Sequence, residues 1–294
     1  MKIQASLVKE LRDKTGLAMM LCKKALESSQ GNFENALDFL KKQNKLVKHS
    51  SSSSKEGVIS ISIKENSASI IEINSNTDFV ARNDKFQNIV KEISDKSLDV
   101  DNLEDLFSTK SSNGNSIKNF LIENSNIIGE QISLSKMKKL FFPNSTIVGS
   151  YIHNKIGENM GKMASVVSLK IEKFDNDVNL KQDIQTYADQ IAMHVVASKP
   201  LSIDEANLDK SFIEKEKEIF IQHAKEKSDK DAVIENVVKG KLKKLFTEVV
   251  LLNQFFVVDN NFTIRDFLDM ISKKFNTKIS ILDFCRMEVG EDKK

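Results

Sequence analysis

Residues 71–83 constrain the fold more than any other stretch of the chain, because the hydrophobic pattern changes its period within them. Ile71 and Ile73 alternate with polar residues, which predicts a β-strand. The polar run 74–77 supplies side-chain oxygens that can accept the free N–H groups of a starting helix. Beyond this run, large apolar residues recur at helical spacing, at Phe79, Phe86, Val90 and Ile93. The stretch therefore predicts a strand, a short turn and a helix.

Asp78 and Phe79 stand at the start of this predicted helix, and two interpretations of the pair are open. Phe79 can attach the helix to the sheet, while Asp78 complements the helix dipole. Alternatively, both side chains project outward and contact the surface of another protein. The spacing alone favours the first interpretation.

Residues 1–47 are predicted to form a module of three short helices, because apolar residues recur there at helical spacing. The first helix is expected to stop at Thr15-Gly16 and the second near Gly31, and Asn32 is expected to cap the start of the third. Such a small module buries little surface, so one apolar face is available for a partner. Met19 and Met20 suit this face because methionine adapts to different surfaces, although packing within the module explains Met19 equally well.

Residues 48–56 separate the module from the rest of the chain, since a serine-rich run forms no core and behaves as a flexible linker. From Gly57 the pattern alternates, which predicts a hairpin that leads into residues 71–83. Shorter helices are predicted around 103–107 and 117–128, followed by a strand at 131–142.

A strand pair and a helix with apolar residues from Ile184 to Val195 recur after Val148, and a further strand is predicted at 250–258. The chain is therefore expected to be α+β, with two related core subdomains containing antiparallel sheets, at 57–140 and 141–294.

The second half carries a predicted insertion at about 205–249. Two charged segments with apolar residues at helical spacing, 205–226 and 232–249, are separated only by a short polar run. Two helices joined so closely should return antiparallel. The insertion is therefore predicted to be a coiled-coil hairpin that acts as an arm.

The overall composition argues against several classes of function. A net charge of +2 does not support a primary electrostatic hold on nucleic acid, and no apolar run approaches the length of a membrane span, about 20 residues. The two cysteines do not form a disulfide framework, and no cluster has zinc-ligand spacing. The run 157–162 resembles a phosphate-binding loop only superficially, because its spacing is wrong. We therefore expect a cytoplasmic protein without a cofactor.

Several segments, in order along the chain, carry a resemblance to a known family. They are 11–26 with 31–36, 74 with 77–83, 149–153, 191–200 and 288–291. Together they are similar to the signatures of the elongation factor Ts family, and they extend through nearly the whole chain. The resemblance implies a guanine nucleotide exchange factor for elongation factor Tu, which performs no bond-making chemistry. It also implies that the first module resembles ubiquitin-associated (UBA) domains and that the coiled-coil arm projects from the second core subdomain.

The resemblance also implies which residues bind the partner. In the family, the helical module contacts the nucleotide-binding domain of the GTPase, which implicates Leu11, Arg12, Met19 and Met20. The segment Thr77, Asp78, Phe79 and Val80 would insert near the magnesium site of that domain. His153, at a strand end, would reach another domain of the GTPase.

Two functions from other classes are open on the residues alone. The protein can be a non-catalytic scaffold that binds a different protein through its UBA-like module. It can also be a hydrolase that uses Asp78 with a histidine, but the four histidines are scattered and no catalytic constellation can be assembled from them. His194 is expected to be a partly buried histidine with satisfied hydrogen bonds.

Overall fold

A computed structural model describes residues 3–15, 17, 19–42, 56–172, 178–226 and 230–291. Within these residues, α-helices are combined with antiparallel β-strands, which agrees with the predicted α+β class. The chain divides into two compact units. Unit 1 comprises Met1–Phe141, Ile152–Ala164 and Met287–Lys294, and unit 2 comprises Phe142–Tyr151 and Ser165–Arg286. Each unit therefore contains segments that are distant in sequence.

Unit 1 begins with three helices, which confirms the helical character predicted for this region. They are α1 (Ala5–Thr15), α2 (Met19–Ser28) and α3 (Phe33–Lys42). Asn32 caps α3 as predicted, since its side-chain oxygen accepts the N–H of Asn35 at 3.0 Å. Their apolar stripes meet in one small core, which includes Val8, Leu11, Cys22, Leu26, Ala36 and Leu40. The likeness of this module to UBA domains stays a prediction.

The sheet of unit 1 is built from the predicted hairpin and a third strand. Strands β1 (Glu56–Lys64) and β2 (Ser67–Ser75) pair antiparallel over their whole length. Strand β3 (Ile132–Phe141) pairs antiparallel with β2 on its other side. Because β2 lies between two neighbours, its end at Ser75 has a well-defined position from which the chain enters the next turn.

Helices that follow β2 pack on one face of this sheet. They are α4 (Asp78–Ala81), α5 (Asp84–Lys96), α6 (Leu103–Ser108) and α7 (Ile117–Ile128). Their core with the strands includes Val58, Ile71, Ile73, Phe86, Val90, Ile93, Leu106 and Leu121. The helical pieces and the strand predicted between Leu98 and Phe142 are thus confirmed.

A long hairpin, β4 (Thr146–Gly157) and β5 (Met160–Ile171), continues the sheet. In unit 1, β5 pairs antiparallel with β1 at Ile59↔Gly161 and Ser60↔Met160. The strand order is β3-β2-β1-β5-β4, and β8 (Ile279–Glu288) also pairs with β5. The glycine-rich run 157–162 forms the turn of this hairpin, so it precedes a strand and not the helix that a phosphate-binding loop requires.

Unit 2 packs α8 (Val178–Ser198) on the hairpin. The core between them includes Ile147, Val167, Leu169, Ile184, Ala188 and Ile191. Gly149 permits this close approach, because a Cβ at that position would lie 2.2 Å from the backbone carbon of Ala188. The helix predicted around Ile184–Val195 is therefore present, and its contact with the strand depends on a residue without a side chain.

The predicted insertion contains two helices, α9 (Lys210–Lys225) and α10 (Asp231–Val249). They pack on each other through Ala224, Ile234 and Val238, with Phe220, Ile221 and Leu242 at the margin. The polar run predicted between them, at 227–231, lies mostly outside the described residues. The coiled-coil character of the pair stays a prediction.

The end of unit 2 differs in part from the prediction. Residues 250–258 were expected to form a strand, but the structure has a 3-10 turn at Leu251–Asn253 and only a two-residue strand, β6 (Phe255–Phe256). Leu251 donates its N–H to the carbonyl of Ser202, so a loop takes the place of a strand partner. Strand β7 (Asp259–Thr263) and helix α11 (Ile264–Lys274) complete this region.

The predicted domain boundaries stay predictions. Residues 48–55 of the expected linker lie outside the described residues, and Glu56 belongs to β1. Residues 152–164, which were predicted to belong to the second subdomain, lie in unit 1. Among the described residues, no helix has the length and apolar character needed to cross a membrane.

Candidate partner-binding site

The pair Asp78 and Phe79, called the tip below, lies on the surface of unit 1. The Phe79 side chain is 80 % exposed, and Asp78 is also exposed. Val80 and Ala81, the next two residues of α4, are buried in the unit 1 core. Since successive helical side chains point about 100° apart, burial of the second half of this single turn directs the first half outward.

The interpretation favoured by spacing alone, in which Phe79 attaches the helix to the sheet, is wrong. The chain forms two helices and not one, because α4 ends at Ala81 and Asn83 caps α5, accepting the N–H of Lys85 at 2.9 Å. This break changes the helical register between Phe79 and Phe86. Phe86 is fully buried, whereas Phe79 has no place in the core.

Thr77 and Val80, the other two residues of the predicted segment, do not point outward with the tip. Val80 is only 8 % exposed and packs in the core, so its side chain is not available to a partner. Thr77 is half-buried and makes no side-chain cap to α4. Its hydroxyl donates instead to the carboxylate of Glu130, with an oxygen–oxygen distance of 2.8 Å.

The helical module exposes part of the predicted partner-binding set. Met19 and Met20 are 50 % and 63 % exposed at the start of α2, and Arg12 is exposed on α1. The prediction for Leu11 requires correction, because this side chain is fully buried in the core of the module. Leu11 therefore supports the fold of the module, and the exposed face is carried by the other three residues.

His153 lies exposed on β4, in the part of the hairpin that belongs to unit 1. The next residue, Asn154, has a φ of +50°, so the strand is irregular at this point. Across the hairpin, a Cβ at Gly161 would lie 2.7 Å from the carbonyl oxygen of His153. The backbone that presents His153 thus depends on a glycine in the facing strand.

Hydrogen bonds to two helices connect these segments within unit 1. At the end of α7, the amide of Asn126 donates to the carbonyl of Thr15, the last residue of α1. On α5, the amide of Gln87 donates to the carbonyl of Ile156 at 3.3 Å, on the hairpin that carries His153. An exposed ion pair between Lys91 and Glu158 joins the same helix to the hairpin turn.

Six of the predicted site residues are exposed at the surface of unit 1, namely Arg12, Met19, Met20, Asp78, Phe79 and His153. Among the described residues, no group of three or more His, Cys, Asp and Glu side chains could hold a metal ion. The arrangement instead presents one aromatic ring, two thioether side chains and an imidazole to the outside. Such a set can contact another macromolecule without changing a covalent bond.

The family model described as elongation factor TS matches residues 76–291. The elongation factor Ts of Rickettsia prowazekii is 40 % identical over 291 residues, which cover 98 % of this chain and 92 % of the relative. Those of Rickettsia typhi and Rickettsia bellii are 39 % and 38 % identical over the same shares.

The chain belongs to the elongation factor Ts family. Its general role is therefore that of an elongation factor in protein biosynthesis. The match of the family model begins two residues before the tip, and the relatives extend the similarity over the helical module. The family resemblance seen in the sequence is thus confirmed.

His194 of this elongation factor is more buried than predicted, and it has no exposed surface. Its Nε2 lies 3.0 Å from the side-chain oxygen of Gln254, and its Nδ1 accepts the N–H of Val257 at 3.3 Å. These partners suit a neutral ring with its proton on Nε2. Burial lowers the pKa of His194 below its ordinary value of about 6.5, with the hydrogen bond to Gln254 acting in the opposite direction. Because both nitrogens are engaged, this ring is not available as a catalytic base.

Sequence reasoning missed the residues that support the tip and the module. Glu130, Asn126 and Gln87 are ordinary polar residues of a helix or its end, and each is far in sequence from the group that it bonds. A local signal is present at Gly129, which marks the end of α7 with a φ of +87°. Hydrophobic periodicity carries no information about such bonds.

Proposed function

We propose that this elongation factor promotes release of GDP from elongation factor Tu by inserting the tip beside the bound Mg²⁺ and phosphates. A GTPase holds GDP largely through its phosphates and their Mg²⁺, which neutralises the charge between them. An exchange factor therefore needs no bond-making chemistry of its own. It needs a surface that fits the GTPase better when the metal and phosphate site is disturbed.

The exposure of Phe79 is the single observation that carries this proposal. A large aromatic side chain that is 80 % exposed on a half-buried turn loses favourable burial in the free protein. Burying it in a partner recovers up to about 1.5–3 kcal/mol. Asp78 beside it is a polar anchor that would compete for the surroundings of the metal.

Reciprocity follows from this mechanism, because binding of the factor and binding of GDP are linked through one equilibrium. If the factor weakens GDP binding by a given ratio, GDP weakens binding of the factor by the same ratio. Each can therefore expel the other. The factor acts repeatedly because the nucleotide that enters next releases it.

The exposed residues of the module and the hairpin would hold the tip in register on the GTPase. Met19 and Met20 suit an apolar surface, with Arg12 available for an acidic group. His153 would contact a separate region of the partner from the hairpin. The UBA-like nature of the module and the coiled-coil arm belong to this same proposal, as does action in the cytoplasm without nucleic acid or membrane.

Release of a fluorescent GDP from elongation factor Tu in a stopped-flow instrument tests the proposal. The wild-type protein should accelerate release, and the double variant Asp78→Ala/Phe79→Ala should do so far less while keeping its fold. Phe141→Ala is the matched control, because Phe141 is also exposed in unit 1 but lies at the end of β3. Unchanged acceleration by the double variant would exclude the tip from the mechanism.

A scaffold function is the second candidate, since Met19 and Met20 expose an apolar face on the module. Nucleotide dependence separates the two functions. An exchange factor should capture a GTP-binding protein in a pull-down and lose it when GDP is added, because the two ligands compete. A scaffold should keep its partner at any GDP concentration.

A further inference from the structure

We propose that Glu130 is a positioning residue that holds the tip in its outward orientation before the partner binds. This inference rests on the proposed function for its effect on GDP release, but its structural part can be tested on the protein alone. Glu130 follows α7 and lies 53 residues from Thr77 in sequence. Its carboxylate bonds the residue that immediately precedes the tip.

Both carboxylate oxygens of Glu130 take part in this contact. Oε2 accepts the backbone N–H of Thr77 at 3.1 Å, and Oε1 accepts its hydroxyl at 2.8 Å. The hydroxyl also lies 3.1 Å from Oε2. Hydrogen bonds to an ionised acceptor are shorter and stronger than neutral ones, and two donors on one carboxylate fix direction as well as distance.

The remaining polar group of Thr77 is fixed from the other side. Its carbonyl accepts the hydroxyl of Ser75 at 2.8 Å, so the N–H, the C=O and the side chain of Thr77 are all bonded to side chains. A threonine that precedes a helix usually uses its hydroxyl to cap the first turn. Here α4 has no side-chain cap, and the hydroxyl of Thr77 serves the bond to Glu130 instead.

Glu130 is itself held between two anchored points. Gly129, in the left-handed region, ends α7 by donating its N–H to the carbonyl of Ser125 at 2.8 Å. The buried hydroxyl of Ser125 accepts the N–H of Ile132, the first residue of β3, at 2.9 Å. Ser125 therefore bonds both to the end of α7 and to the start of β3, and Glu130 lies in the short segment between these two bonds.

The consequence is that the tip is ordered without a partner. A four-residue helix has little stability of its own, and the tip makes up its exposed first half. Without the carboxylate, the turn before α4 would sample other orientations, and Phe79 would have to be ordered during exchange. Because a hydrogen bond to a charged group stabilises an orientation by about tenfold or more, we expect Glu130→Ala to lower the maximal rate of GDP release by about that factor.

The mobility of the tip can be measured on the free protein. The chain contains no tryptophan, so Phe79→Trp introduces a single fluorescent probe at the tip. Adding Glu130→Ala should lower the fluorescence anisotropy of this probe, and Glu130→Gln should give an intermediate value because one acceptor oxygen is retained. Glu123→Ala is the matched control, because Glu123 lies on α7 and bonds Asn113 at 3.0 Å, away from the tip.

The exchange assay then separates positioning from a general loss of stability. Glu130→Ala in the otherwise native chain should lower the maximal rate of GDP release, with the half-saturating concentration of the factor changed by less than about twofold. A factor that is merely partly unfolded would show the opposite pattern, a raised half-saturating concentration with the same maximal rate. Glu123→Ala should change neither quantity.

Each outcome decides the inference. Equal anisotropy of the tryptophan probe with and without Glu130→Ala would overturn it, whatever the exchange assay gives. A maximal rate unaffected by Glu130→Ala would also overturn it, provided that Phe79→Ala slows release. If Phe79→Ala itself leaves release unchanged, the proposed function fails, and the anisotropy alone then decides whether Glu130 positions the tip.

Discussion

Phe79 and Phe86 provide the sharpest comparison that this fold offers, since they lie seven residues apart and have opposite environments. Phe86 is fully buried in the core of unit 1, whereas Phe79 is 80 % exposed. Replacing a buried phenylalanine by alanine costs about 3–5 kcal/mol of unfolding free energy. Replacing one that touches little of its own protein changes stability by about 0.5 kcal/mol or less.

For the rate of GDP release the order should be reversed, so that Phe79→Ala has the larger effect and Phe86→Ala the smaller. If four-fifths of its surface is buried in the partner, insertion contributes about 1.2–2.4 kcal/mol, which is the full-burial value scaled by the exposed fraction. At about 1.4 kcal/mol for each factor of ten, Phe79→Ala should slow GDP release by about 7- to 50-fold. Phe86→Ala should alter release only through the fraction of protein that is unfolded.

Two measurements on the same variants check this reasoning. Chemical denaturation gives the unfolding free energy, and stopped-flow fluorescence gives the rate of GDP release at saturating factor. We expect Phe86→Ala to be unstable but active where folded, and Phe79→Ala to be stable but slow. A loss of stability in Phe79→Ala as large as that in Phe86→Ala would refute the exposed tip, and a normal release rate would refute its insertion.

Three further predictions concern the stability of the two units. Because burial lowers the pKa of His194, the unfolded chain binds more protons than the folded chain below about pH 6.5, and the unfolding free energy should fall with decreasing pH by up to about 1.4 kcal/mol per pH unit. Urea titrations between pH 7 and pH 5 should show this slope in the wild type but not in His194→Gln. Gly149→Ala should destabilise unit 2 by several kcal/mol in thermal unfolding, because the new Cβ would overlap the backbone of α8. Gly240→Ala in α10 is the matched control: its Cβ meets no atom within 4 Å, and the change should stabilise the protein by about 0.5–1 kcal/mol. The Glu72 carboxylate is buried and lies 2.7 Å from the Lys136 ammonium, so Glu72→Ala should lower the unfolding free energy by about 3–5 kcal/mol in a denaturation assay. The paired change Glu72→Leu/Lys136→Met should recover only part of that loss, because the amide of Asn74 and the N–H of Gly290 also lose the carboxylate as their acceptor.

Most of the secondary structure could be predicted from the sequence, because periodicity reports which side chains are buried. The apolar stripes of α1, α3 and α5 are strong local patterns. In β1 and β2 the residue types alternate in the sequence, and this alternation predicted the strands although both faces of the two strands are buried. The prediction failed at residues 250–258, where Val250 and Leu251 are both fully buried. Consecutive apolar residues carry no period-two signal that separates a strand from a buried loop, and the N–H of Leu251 bonds to the carbonyl of Ser202 in such a loop.

The site was predictable only in part, and largely from the family resemblance. The motif around Asp78 and Phe79 was recognisable, but helical spacing placed Phe79 on the same face as Phe86. The cap at Asn83 broke that spacing. Leu11 shows the complementary error, since a residue in a signature segment proved to be part of the core.

The sequence by itself determined the kind of protein, an elongation factor with helical and antiparallel α+β parts, since composition, periodicity and signature residues are properties of the chain alone. Only the tertiary structure decided which side of the turn faces solvent. That outcome depends on the burial of Val80 and Ala81 and on the bond between Thr77 and Glu130, 53 residues apart. The choice between a packed and a projecting aromatic ring is made by contacts across the fold, and such contacts leave no periodic trace in the residues that make them.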